Sequence, residues 1–380
     1  MEHEAGKIIS FLASKPMVVL YYTPLVAIVV SWMSELPRKQ KLSKLYDANG
    51  TLINYWKKAS SPFLPVEEFT SKAEYDGIHD YLVQQQQQAK ELKKDDGTRP
   101  AAGNTASWAL VTGASQGIGR AIAISLARRN IPVVLVARDV KKLEQLSRLI
   151  KECYGVQTLV IPCDLNSNGA AEKISDALAK ATCDIDILVN NAGIGETCDL
   201  VDMTPDRIDQ LCQVNIVSTT KLTQLLGSKM KARQRGRIVI ISSLTGAVPG
   251  VPTTAVYAAT KSYQRSLATS LGREMESYGV GVSCIMPGAV KETSFAAIAN
   301  MSDSVVWKLP FGGLTPEIVA ESAVRAMLFG HREVVVGWIN IVMVRVVSIL
   351  LPRRLTVLVC ENTWRPLPSF FTKKNQYTRM

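Results

Sequence analysis

The sequence predicts an α/β fold, a doubly wound parallel sheet of about seven strands, from two observations. From about residue 107 onward, short β-branched runs alternate with longer stretches of helical periodicity, the order that makes a parallel sheet covered by helices on both faces. The first run leads directly into the turn Thr112-Gly113-Ala114-Ser115-Gln116-Gly117-Ile118-Gly119 and then a helical AIAISLARR. Glycines there permit a tight turn and a close approach of backbone N–H groups to a pyrophosphate, whose charge a helix N-terminus stabilises.

In chain order, the first element is the uncharged run over 17–33, MVVLYYTPLVAIVVSWM. As a helix it spans about 25 Å, short of a hydrocarbon core of about 30 Å. Extension back to Ile8 supplies the missing length at the cost of Lys15 and Pro16. With no basic segment and small-residue cleavage site of the secretory kind, it reads as an N-terminal transmembrane helix, an anchor over 1–40, rather than a signal peptide. A buried core helix is the alternative. Lys7 and Lys15 precede the run and Arg38, Lys39, Lys41 and Lys44 follow it, which places the rest of the chain on the cytosolic side. Residues 34–80 show no clear period, Lys72 to Lys94 admits a helix although Gln84 to Gln88 within it is low-complexity, and DDGTRPAAGNT reads as a linker, so 41–106 is left as an unassigned segment and linker.

The strands are expected at 108–112, 133–137, 158–162, 185–190, 237–242, 281–286 and 333–337, within a domain over 107–338. A ligand site in such a sheet lies outside the carboxyl ends of the strands. Thr315-Pro316-Glu317 reads as a helix start, with threonine as cap and proline first. The apolar stretch 334–351, broken by Asn340 and Arg345, reads as the last strand followed by an amphipathic helix, with a tail completing 339–380.

Composition narrows the chemistry. A net charge of +11 suits an anionic membrane surface or a phosphate-bearing cofactor or substrate. The basic residues are scattered rather than interleaved with aromatics, which argues against nucleic acid. Seven cysteines without a CxxC pair point to a reducing compartment and to no metal site.

The second strand ends in Arg138-Asp139. An arginine there accommodates the 2′-phosphate of NADP, whereas an acid binds the ribose hydroxyl of NAD. Arg138 comes first, so NADPH (NADP+) is expected, and Asp139 keeps NAD(H) as the less favoured alternative. GASQG also matches a serine-nucleophile elbow at Ser115. The preceding residues lack the strands a hydrolase needs, and the histidines are His3, His79 and His331, so that reading falls far behind. Tyr257 and Lys261 lie one turn apart on one helix face. An ammonium there would stabilise a phenolate and fit the phenol for proton transfer.

TGASQGIG at 112–119, Asn190-Asn191-Ala192-Gly193, Asn215, the strand leading to Ser243, YAATK at 257–261 and Pro287-Gly288 resemble, in order and spacing, the short-chain dehydrogenase/reductase family over about residues 107 to 350. The resemblance implies a Rossmann-type domain and a catalytic set of Asn215, Ser243, Tyr257 and Lys261. Ser243 would orient a carbonyl and Tyr257 would protonate its oxygen. Lys261 would hold the nicotinamide ribose and lower the phenol's pKa, and Asn215 would maintain a proton-relay water. For the cofactor it implies Gly113, Ser115, Gln116, Gly117, Ile118, Gly119, Arg138, Asp164, Asn191, Ala192, Gly193, Pro287, Gly288 and Thr293, with Tyr257 and Lys261 shared. Two departures stand out. Ser243 precedes Tyr257 by one residue more than is usual, with Pro249 and Pro252 between and Ser242 as fallback, and Thr293 arrives one position late.

The resemblance further implies a substrate lid over 289–314, rich in Phe, Met and Trp, and hence a lipophilic substrate. Membrane-tethered members act on 3-ketoacyl, sphingoid, steroid or retinoid ketones, so the expectation is ketone–alcohol interconversion at the endoplasmic reticulum membrane, facing the cytosol, by a homo-oligomer. The alternative is a nonenzymatic NADPH-binding membrane scaffold.

Overall fold

The computed structural model describes residues 107–291, 293–301, 304, 307, 313–344 and 351–364. Alternation at the level of single residues builds its sheet, because successive side chains of a strand point to opposite faces. In β1 (Trp108–Thr112), Leu110 joins one apolar cluster while Ala109 and Val111 join another. β2 (Val133–Ala137) divides likewise, with Val134 and Val136 on the first side and Val133 and Leu135 on the second. β3 (Thr158–Pro162), β4 (Ile185–Asn190), β5 (Gly236–Ile241), β6 (Val280–Met286) and β7 (Glu333–Val335) complete a seven-stranded sheet. Its order is β3-β2-β1-β4-β5-β6-β7, and all pairs are parallel.

The helices are α1 (Gly117–Arg128), α2 (Val140–Tyr154), α3 (Ala170–Lys180), α4 (Pro205–Cys212), α5 (Thr219–Ala232), α6 (Ala255–Glu274), α7 (Phe295–Ile298), α8 (Pro316–Phe329), α9 (Trp338–Val342) and α10 (Arg353–Trp364). Buried residues of α1, α2 and α8 pack on one sheet face. Those of α3, α5, α6 and α10 pack on the other. Their ends follow local chemistry. Asp139 caps α2 by accepting from Lys142 N at 3.1 Å, and Gly155 ends it in the left-handed conformation. Thr315 caps α8, with Pro316 at its first position.

The fifth strand runs 236–241 rather than 237–242, although Ser242 N still continues the ladder by donating to Ile285 O at 2.8 Å, while the Ser242 hydroxyl donates to Lys261 O at 2.7 Å. The last strand ends at Val335, and Val336 N continues the ladder to Met286 O at 3.2 Å before Gly337 turns the chain into α9. Among the described residues no helix is long and apolar enough to cross a membrane. The anchor expected over 17–33, the segment 41–106, part of the lid and the end of the tail lie outside the described residues.

Candidate active site

The strand order reverses between β1 and β4, and crossovers on opposite sides of that point leave a crevice at the strands' carboxyl ends. A cavity of about 820 Å³ opens there, within the range of small-molecule and cofactor sites. Gly113, Ser115, Gln116, Gly117 and Ile118 line it, as do Arg138, Asp164, Asn191, Ala192, Gly193, Ser243, Tyr257, Lys261, Pro287, Gly288 and Thr293. Of the residues expected at the site, Gly119 and Asn215 stand behind the wall rather than in it.

Two glycines show why the loop needs its sequence. Gly113 has φ +67°, and a Cβ there would lie 2.9 Å from Asn191 Nδ2. Gly119, in the first turn of α1, lies so close to the loop that a Cβ would collide with Gly113 O and Asn191 Nδ2. The Thr112 hydroxyl accepts from Asn191 N and Ala192 N, both at 3.0 Å, and Asn191 Nδ2 donates to Thr112 O at 2.9 Å. The ends of β1 and β4 are thereby locked together as one cradle. Opposite them, Thr293 Cγ2 would lie 3.2 Å from a Cβ on Gly117, and Gln116 Nε2 donates to Ser294 Oγ at 2.7 Å.

At the adenine end expected for a dinucleotide, Arg138 is exposed along the cavity. Asp139 is otherwise engaged. Its carboxylate accepts from Lys142 N and pairs with Lys142 Nζ at 3.3 Å, which holds it below the usual carboxylate range. Asp164 accepts from Asn166 N at 3.0 Å, turning the chain after β3 so that Leu165 and Asn166 also line the cavity. Neither had a signal beyond a short Asx turn.

At the other end, α6 brings Tyr257 and Lys261 to one face, both buried. Ser243, just past β5, lines the cavity beside Tyr257 and opposes the rise of the phenol's pKa, and its Oγ accepts from Thr245 N at 3.2 Å. Ser242 is committed to Lys261 O, so of the two serines it is Ser243 that acts on the phenol. The loop insertion before α6 keeps this placement, with Thr253 held at φ +66° inside it. Lys261 Nζ lies 5.8 Å from the Tyr257 ring centroid and donates to Ile241 O and Gln264 Oε1, each at 2.9 Å. Burial pushes the Tyr257 phenol up to about 12, opposed by Ser243. Burial pulls the Lys261 amine down to about 8. The expectation that Lys261 lowers the phenol's pKa therefore gives way, in the protein alone, to desolvation, and Tyr257 stands as a protonated donor at neutral pH.

Asn215 sits in a π-helical segment, Gln213–Ser218, between α4 and α5, a distortion that often marks functional sites. It is fully buried and faces the Ile194 backbone and Thr260 instead of the cavity. Over the phenol lies an apolar lid. Phe295 of α7 approaches the Tyr257 ring at 5.8 Å between centroids, with Ala296, Ala299, Met301 and Trp307 in the same cluster. Asn300 Nδ2 donates to Glu196 Oε1 at 2.7 Å, and Arg207 Nε donates to Glu196 Oε2 at 2.8 Å. That polar latch joins residues distant in sequence, and no motif announced it.

A buried phenol that can give up a proton, beside a nucleotide cradle, serves the interconversion of carbonyl and alcohol coupled to a dinucleotide, which is oxidoreductase chemistry on CH–OH groups. The model of the family described as short chain dehydrogenase matches residues 107–303, and the chain belongs to that family. It is 34% identical over 230 residues to a very-long-chain 3-oxoacyl-CoA reductase-like protein of Arabidopsis thaliana, covering 60% of this chain and 72% of that protein. It is 35% identical over 242 residues to the very-long-chain 3-oxoacyl-CoA reductase of Macaca fascicularis, covering 61% and 74%. Among solved structures it resembles a short-chain dehydrogenase from Sphingobium yanoikuyae in complex with NADPH, with a TM-score of 0.55 and 29% identity over 60% of this chain and 87% of that one.

Proposed function

We propose that this protein is an NADPH-dependent reductase of a lipophilic ketone, with a 3-oxoacyl thioester as the first substrate to test. The observation that carries the reading is the convergence of Ser243, Tyr257 and Lys261 on one cavity, under the apolar lid and beside the glycine cradle. Bound NADPH supplies the hydride. The chain's own residues do the rest. Ser243 donates a hydrogen bond to the carbonyl and orients it, and Tyr257 passes its proton to the carbonyl oxygen. The Lys261 ammonium stabilises the negative charge left on the phenol. Phe295 and its neighbours exclude water, which strengthens each of these interactions.

NADPH over NADH is supported by the free approach of Arg138 to the cavity and by the commitment of Asp139 to its helix cap. The acyl-CoA class is supported by the names of the two relatives above and by a net charge of +11, which attracts a phosphate-bearing substrate. The uncharged run 17–33 and its basic flanks support an anchor in the endoplasmic reticulum membrane with the catalytic domain facing the cytosol. Family resemblance supports a homo-oligomer paired through the long helices α5 and α6.

The test is oxidation of NADPH by the full chain in detergent micelles, given long-chain 3-oxoacyl-CoA, a 3-keto sphingoid base or a 3-ketosteroid. Turnover of the thioester above the other two supports the reading. Turnover of another ketone alone moves the substrate class, and tight NADPH binding with no turnover of any ketone returns the scaffold alternative.

A further inference from the structure

We propose that Gln264 is a positioning residue of the acid–base site, its carboxamide tethering the Lys261 ammonium to the main-chain carbonyl of Asn215 and so fixing the ammonium beside Tyr257. The proposal rests on the reading of Tyr257 and Lys261 as the acid–base pair. Gln264 follows Lys261 by three residues on α6 and is 1% exposed. Its Oε1 accepts from Lys261 Nζ at 2.9 Å, and its Nε2 donates to Asn215 O at 2.8 Å.

The two partners dictate the orientation of the amide. An ammonium only donates and a peptide carbonyl only accepts, so a group between them must accept at one end and donate at the other. A carboxamide does both without a charge. An ionised glutamate would set a carboxylate oxygen against Asn215 O, and an apolar residue would leave both partners short of a hydrogen bond in a buried place.

The tether holds the ammonium in a box. Ile241 O takes a second N–H at 2.9 Å, and a Cβ on Gly193 would lie 3.2 Å from Lys261 Nζ and 3.3 Å from Asn215 Oδ1. The titratable groups facing Lys261 are Tyr257 on its own helix and Cys284 on β6. Beyond Cys284 stands the ion pair of Arg265 and Glu333 at 2.8 Å. A carboxamide does not readily gain or lose a proton near neutral pH, so this connection between Lys261 and the Asn215 carbonyl positions charge rather than relays protons.

The experiment compares the full chain with Gln264→Met and Gln264→Glu by competitive acetylation with acetic anhydride across pH, with Lys261 read out by mass spectrometry. Loss of the acceptor in Gln264→Met is expected to lower the titration of Lys261 by about one pH unit, and the carboxylate of Gln264→Glu to raise it by about as much. The alkaline limb of ketone reduction is expected to move in the same directions, with kcat reduced about tenfold and KM within about twofold for Gln264→Met. Unmoved labelling in folded, NADPH-binding variants overturns the proposal, as does moved labelling with an unchanged pH profile and kcat. If Gln264→Met does not fold, Gln264→Glu decides by the same comparison. Labelling needs no turnover, so an inactive parent chain counts against the oxidoreductase reading, and unmoved labelling counts against Gln264.

Discussion

Asn215 grips the backbone of Ile194 with both ends of one carboxamide: Oδ1 accepts from Ile194 N at 3.0 Å, and Nδ2 donates to Ile194 O at 2.9 Å while also reaching Thr260 Oγ1 at 3.0 Å. Ile194 directly follows Gly193 in the cavity wall, so this grip sets the course of the loop after β4. Asn215→Leu leaves buried backbone groups unpaired, which costs about 1–3 kcal/mol each. The expected outcome is a lower urea midpoint together with weaker NADPH binding, measured by fluorescence titration. Full stability and unchanged affinity would remove Asn215 from the support of the site.

Phe295 is expected to govern the ketone rather than the cofactor. It tilts at 48° over Tyr257, and a Cβ on Gly195 would meet its ring at 2.7 Å. Truncation to alanine removes apolar contact worth about 2 kcal/mol. KM for the lipophilic ketone should rise by about tenfold or more in Phe295→Ala, with the NADPH dissociation constant unchanged. Equal effects on both would place Phe295 in general packing instead.

Cofactor choice should reside in Arg138. Its guanidinium is expected to pair with the 2′-phosphate of NADP, an interaction of about 1.5–3 kcal/mol for a charged hydrogen bond. In Arg138→Ala, affinity for NADPH should fall at least tenfold while that for NADH changes little. If both fall alike, the preference comes from elsewhere in the cradle.

Lys261 links stability to pH. Its folded-state pKa of about 8 lies below the ordinary 10.5 because burial disfavours the charged amine. Between those values the unfolded chain binds more protons than the folded one, so this residue's contribution to stability rises with pH. From pH 7 to 9.5 the gain is about 2 kcal/mol for a shift of this size. Urea unfolding of the parent and of Lys261→Met across that range should diverge by this amount, the parent gaining on the variant. Parallel curves would contradict the assigned burial.

Much of the sheet was legible in the sequence because each strand alternates or runs apolar to a definite stop. β1 to β4 occupy the expected residues, and the glycine turn follows β1 at once. Tyr257, Lys261 and Ser243 were legible as types at spacings that a helix and a strand end bring together. What escaped notice depends on tertiary contact. The partner of Asn215 is a backbone that any residue could supply, and Glu196, Arg207 and Asn300 come together only when the lid lies on the loop after β4. Gln264 did leave a trace, since 257, 261 and 264 follow the helical period on one face. Its meaning required the position of the Asn215 carbonyl.

The most direct measurement of the central claim is Tyr257→Phe, assayed for NADPH binding and for single-turnover reduction of the ketone. Losing only a hydroxyl, the variant should bind NADPH within about twofold of the parent and reduce the ketone at least a thousandfold more slowly, a loss of about 4 kcal/mol in transition-state stabilisation. Reduction at the parent's rate, with binding intact, would contradict the assignment of Tyr257 as proton donor and with it the account of the site.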